Sequence, residues 1–158
     1  MKNPLLLLPV PAASARSFSL PQGQRSECRD KGSAICEGAW LTGIIGMQIR
    51  EQGLILDAGP KSVLITGCAH PGIVEMVQQA NLTRGRPMDV VLGGFHLMNH
   101  TAAQVEAIIS RFRELGVKKV GATHCTGETS IALFRKAFGS DFIELGAGRT
   151  IALGGLLP

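Results

Sequence analysis

The chain has no tyrosine, a single tryptophan and six phenylalanines among 158 residues. It therefore lacks the aromatic platforms on which single-stranded bases stack. Charge is also sparse, at 18% of residues, and the net charge of +4 comes from scattered side chains with no basic run longer than Lys118-Lys119. That distribution argues against a nucleic-acid partner and suits a small anionic substrate. The four cysteines, at 28, 36, 68 and 125, include no C-x-x-C pair. An even count permits disulfides, but the low density argues against a stapled secreted scaffold and reads as a reduced, cytoplasmic thiol set. Long apolar runs are missing too, because prolines at 4, 9 and 11 interrupt the leucine-rich start. The run is a poor imitation of a signal peptide and far too short to span a bilayer, so no membrane role is expected.

Enough apolar material is present for one core, with 45% hydrophobic residues and a mean hydropathy of +0.21. Length alone suggests one domain. Residues 16–37 are rich in Ser, Gly, Gln and charge without periodicity, so positions 1–38 read as a weakly ordered lead-in. Residues 39–158 form the folded part, which starts near Trp40.

From there the pattern is regular. Gly53–Asp57 and Ser62–Thr66 flank an Ala58-Gly59-Pro60-Lys61 turn and read as a hairpin. Pro71–Ala80 reads as a helix broken by residues 81–87, and Asp89–Gly93 as a strand. Thr101–Leu115 has Ala102, Val105, Ile108, Ile109, Phe112 and Leu115 on one face, with Thr101 as N-cap and Gly116 as C-cap. A strand at Lys118–Ala122, a helix at Glu128–Phe138 and a closing pair at Phe142–Leu145 and Thr150–Leu153 complete the order ββαβαβαββ. The class is α/β, a mixed sheet with helices packed on it.

All four histidines fall between positions 70 and 124, and His70, His96 and His124 each follow an apolar run at a glycine-bearing turn. Carboxyl ends of strands are where α/β folds build their sites, and imidazole is the commonest metal ligand. A lone strand-end histidine is commonly a cap or a backbone partner, and His100 reads as a surface turn residue. Three that reach one sheet edge point to a metal site. Cys68 and Cys125 could add thiolate, which would favour zinc; if they only pack in the core, manganese or iron suits the imidazoles as well. Asp57 and Asp89 are the strand-end carboxylates, and neither has a ligand spacing.

The stretch Leu64-Ile-Thr-Gly-Cys-Ala-His-Pro-Gly-Ile73, then Val91-Leu-Gly-Gly-Phe-His-Leu97, then Ala122-Thr-His-Cys-Thr-Gly127 resembles a subgroup of the metallo-β-lactamase fold. That subgroup is similar to the dihydropterin ribofuranosylaminobenzene 5′-phosphate synthases of methanopterin biosynthesis. The resemblance runs from about Trp40 to about Leu153 and covers the carboxyl-terminal half of such a domain. It implies half of an αββα sandwich with a divalent metal centre between its sheet edges. By position, His70 and His124 match later histidine ligands, and His96 matches a further family histidine. Cys68 stands where related hydrolases often carry a bridging aspartate.

The family's H-x-H-x-D-H motif does not occur, and no histidine precedes His70. The resemblance thus implies a metal-dependent hydrolase or transferase acting on an anionic or phosphorylated small molecule, truncated, and weak or inactive alone. The alternatives are a non-catalytic binding or regulatory module that forms an oligomer or completes another chain, and a degenerate remnant.

Overall fold

The computed structural model describes residues 5–8, 25–28 and 30–152. A small parallel pair joins β1 (Leu5–Leu8) to β2 (Arg25–Cys28). The main sheet has six strands in chain order: β3 (Lys31–Cys36), β4 (Ala39–Gly43), β5 (Leu54–Ala58), β6 (Lys61–Thr66), β7 (Val90–Gly94) and β8 (Lys119–Thr123). The pairs from β3 to β6 are antiparallel, and β6, β7 and β8 run parallel. Helices α1 (Ile73–Arg84) and α2 (Ala102–Glu114) supply the two parallel crossovers, and α3 (Glu128–Phe138) follows β8.

One row of side chains explains why this sheet holds its helices. Trp40, Ile55, Leu64, Val91 and Val120 are successive cross-strand partners from β4 to β8. Since side chains alternate across a strand, this register turns all five toward the same face. There they meet Met76, Val77, Phe112 and Phe134 from the three helices. Phe95, Phe112 and Phe134 form a triangle with ring centroids 5.4–5.7 Å apart. Burying each such ring contributes roughly 1.5–3 kcal/mol. The opposite face carries a smaller cluster of Val63, Val90 and Leu92, against which Ile143, Leu145 and Ile151 pack.

Local signals set most boundaries. Thr101 caps α2 and forms a reciprocal capping box with Gln104. Gly116, at φ 86°, lies just past the helix. Helix α1 starts at Ile73, after Pro71, and continues past Ala80 to Arg84 before Gly85 in the left-handed conformation. Tertiary anchors hold that extra turn: Asn81 donates to Leu115 O and accepts from Met88 N, and Arg84 stacks on Trp40 while pairing with Asp57.

Two expectations need correction. Lys31–Cys36, expected to lack regular structure, is a strand paired with β4, because the Glu37-Gly38 turn folds it back onto Trp40. The closing strand pair does not form within the described residues: Phe142 makes one bridge to Val120, and Ile143 N donates to Val120 O at 2.7 Å. Arg135 holds Glu144, and Leu145 packs over Gly121, so this segment covers the sheet instead of pairing with residues 150–152. Leu153 and residues 9–24, most of the expected lead-in, lie outside the described residues. Among the described residues no helix is long and apolar enough to cross a membrane.

Candidate metal centre

Because β6, β7 and β8 are parallel, their carboxyl ends share one edge, and the next residues of each form the site. Three short connections lace these turns together. Gly94 N donates to Gly67 O at 2.9 Å, Phe95 N donates to Thr126 Oγ1 at 3.0 Å, and Cys125 Sγ contacts Cys68 O at 3.5 Å. Glycine at 94 makes this approach possible. A Cβ there would stand 2.5 Å from Gly67 O and 2.9 Å from Cys125 Sγ.

The turns are strained in a consistent way. Among the described residues the non-glycine positions with positive φ are Ala69 (59°), His96 (53°) and His124 (54°), one beyond each of the three parallel strands. A left-handed non-glycine residue costs about 1–3 kcal/mol, and such residues collect at functional sites. Buried neighbours hold them in place: Phe95 inserts into the phenylalanine triangle just before His96, and buried Thr126 donates to Thr123 O at 2.6 Å around His124.

The rings of His70 and His96 approach to 4.3 Å between centroids, tilted by 49°. His124 belongs to a different grouping. Its ring lies with the thiols of Cys68 and Cys125, and the donor atoms of the three are all within 4.8 Å of one another. The sequence-predicted residues thus converge on one edge as a histidine pair and a Cys-His-Cys set. His100 is exposed and lines a cavity of about 330 Å³ together with His70, His96 and Phe95. A second cavity of about 370 Å³ meets the other side of His70, under Met47 and Ile49.

Asp57 and Asp89 are not at this edge. Asp57 lies between Arg84 and Arg86, and Asp89 binds Lys118 and the amide of Ser62. Burial raises both carboxyls, but these partners outweigh it and hold both below the ordinary carboxylate value. Burial pushes the Cys68 thiol above its ordinary value, and the Cys125 thiol and Glu51 carboxylate push the same way. A metal would reverse that balance by stabilising thiolate.

Sequence reasoning missed Glu51. It precedes β5 in a stretch without periodicity, yet its carboxylate accepts from Ala69 N at 2.8 Å and His70 N at 3.2 Å and touches His70 Nδ1. No motif announces it, because the contact joins residues 19 positions apart.

A solved metal-dependent hydrolase of the β-lactamase superfamily superposes with a TM-score of 0.69 and 26% identity, over 80% of this chain and 58% of that one. The chain has the metallo-β-lactamase fold. Its six-stranded mixed sheet with helices on one face is half of that αββα sandwich. It is also 36% identical over 102 residues to the 7,8-dihydropterin-6-methyl-4-(β-D-ribofuranosyl)-aminobenzene-5′-phosphate synthase of Methanocaldococcus jannaschii. That match takes in 64% of this chain, which spans about a third (35%) of the relative's length. A metallo-β-lactamase from Hirschia baltica superposes only at a TM-score of 0.38, with 25% identity, over 65% of this chain and 47% of that one. No family model matches the chain.

Proposed function

We propose that this chain carries part of the reaction centre of a metal-dependent hydrolase or transferase whose substrate is a small phosphorylated molecule of the dihydropterin type. The observation that carries this reading is the set of left-handed turns at Ala69, His96 and His124, which brings histidines from three parallel strands to one edge. The donor chemistry fits a divalent ion: His70 and His96 offer imidazole at the wall of one cavity, and His124 offers a third beside the thiols of Cys68 and Cys125 on the same sheet edge. Bound there, the ion would act as a Lewis acid on a phosphoryl or carbonyl oxygen. The protein's own part is orientation. Glu51 faces Nδ1 of His70 and leaves Nε2 for the ion, and the net charge of +4 favours an anionic substrate. The relative's name carries a 5′-phosphate, in keeping with that charge. Free thiols at Cys36, Cys68 and Cys125 accord with a cytoplasmic setting.

Because no H-x-H-x-D-H cluster occurs in the 158 residues, low activity is expected of the chain alone. The same absence favours a second reading, a non-catalytic module completed by another chain or a second copy. Metal analysis of the purified chain with its oligomeric state separates the two. Stoichiometric metal that is lost in His70→Ala and His124→Ala, with metal-dependent turnover of a phosphorylated pterin, supports the reaction centre. A metal-free chain found only in a stable complex supports the module.

A further inference from the structure

We propose that Cys68 and Cys125 are metal ligands alongside His124, so that the ion at this edge has a sulfur-rich shell and is zinc-like, unlike the oxygen-seeking magnesium or manganese. This rests on the metal-dependent reading above and deepens it by naming donors and metal class. The donor atoms of Cys68, His124 and Cys125 already lie within 4.8 Å of one another. In a tetrahedral site with Zn–S about 2.3 Å and Zn–N about 2.0–2.1 Å, adjacent donors are separated by roughly 3.5–3.8 Å. The closure required is on the order of 1 Å per donor pair.

Packing alone accounts poorly for this arrangement. A thiol that only filled space would be served by any small apolar side chain, yet two sulfurs from different strand ends meet here beside an exposed imidazole. Cys68 is only half-buried, so one sulfur remains accessible to an incoming ion. Cys125 Sγ donates to the Cys68 carbonyl at 3.5 Å, a weak contact that metal ligation would readily replace. The left-handed turns at Ala69 and His124 each adjoin one of the two cysteines, so the strain is spent where the sulfurs are aimed. Soft thiolates select zinc over magnesium or manganese, and ligation displaces one proton from each thiol.

The test is a titration of the reduced, metal-free full chain with cobalt(II) alone, followed by absorption. The expected result is an intense thiolate-to-cobalt charge-transfer band in the near ultraviolet that saturates at one ion per chain and disappears on adding zinc. Cys68→Ser should weaken the band and lower affinity by about tenfold or more. Cys125→Ser should do the same, and because Cys125 is buried the half-buried Cys68 variant and the unmutated chain keep the test independent of folding. Stoichiometric cobalt without charge transfer, with affinity unchanged in Cys68→Ser, overturns the thiolate shell while the metal-dependent reading stands. No cobalt bound by the reduced chain overturns both.

Discussion

Glu51 encloses the His70 turn: one carboxylate oxygen accepts from Ala69 N at 2.8 Å, and the other accepts from His70 N at 3.2 Å and touches His70 Nδ1. Its own backbone is tied to buried Ile45 in both directions, so the carboxylate is held from two sides.

Replacing Glu51 by Ala should free the His70 ring and leave two amides without their acceptor. A partner that orients a metal-bound histidine is typically worth 10–100-fold in affinity, and a loss of about that size is expected by calorimetric zinc titration. Glu51→Gln, which keeps an acceptor oxygen, should recover part of it. Unchanged affinity in Glu51→Ala would leave Glu51 a purely structural role.

Strain at the histidine turns makes an opposed pair of effects testable. His96→Gly and His124→Gly remove a left-handed side chain from exposed positions, and the metal-free protein should gain about 1 kcal/mol in denaturant unfolding. Metal binding should fall in the same variants. A loss of stability in both would mean that the rings contribute more to packing than the backbone strain costs.

Gly94→Ala should do the reverse, because its Cβ meets Gly67 O and Cys125 Sγ at 2.5 and 2.9 Å. Separating β6 from β7 at this edge should cost about 1–3 kcal/mol, visible as a lower melting temperature. The cobalt charge-transfer band should weaken in parallel, since the same glycine spaces the two cysteines.

Acid stability depends on Asp57 and Asp89. Burial raises both carboxyls, but the arginines and Ser62 around Asp57, and Lys118 with the Ser62 amide at Asp89, lower them further. Folded values below the unfolded value of about 3.9 mean that their stabilisation is complete above that pH and disappears as pH falls through the folded values. Unfolding free energy measured from pH 6 down to pH 2 should therefore drop steeply below about pH 4. Asp57→Asn and Asp89→Asn should each lower stability at neutral pH and flatten that decline.

Much of the architecture was legible along the chain because it depends on local periodicity. The apolar face of α2, its Thr101 cap and the span of α3 need only neighbours three or four residues away. The extra turn of α1 was not legible, since Asn81 and Arg84 are held by Leu115 and Asp57. Nor was the strand at Lys31–Cys36, whose polar composition is tolerated in the outermost strand of the described sheet.

For the site, sequence alone determined which donors are available and that His70, His96 and His124 follow strands, because short apolar runs at glycine-bearing turns are local signals. Only the tertiary structure decided how they group. Parallel pairing of β6, β7 and β8, with close approach at Gly94, sets His70 against His96 and delivers His124 to two cysteines. Glu51 likewise joins the site through a fold-dependent contact. Distances between strand ends are set by sheet register and by left-handed turns held by buried Phe95 and Thr126, and neither is encoded within the short windows that reveal helices and strands.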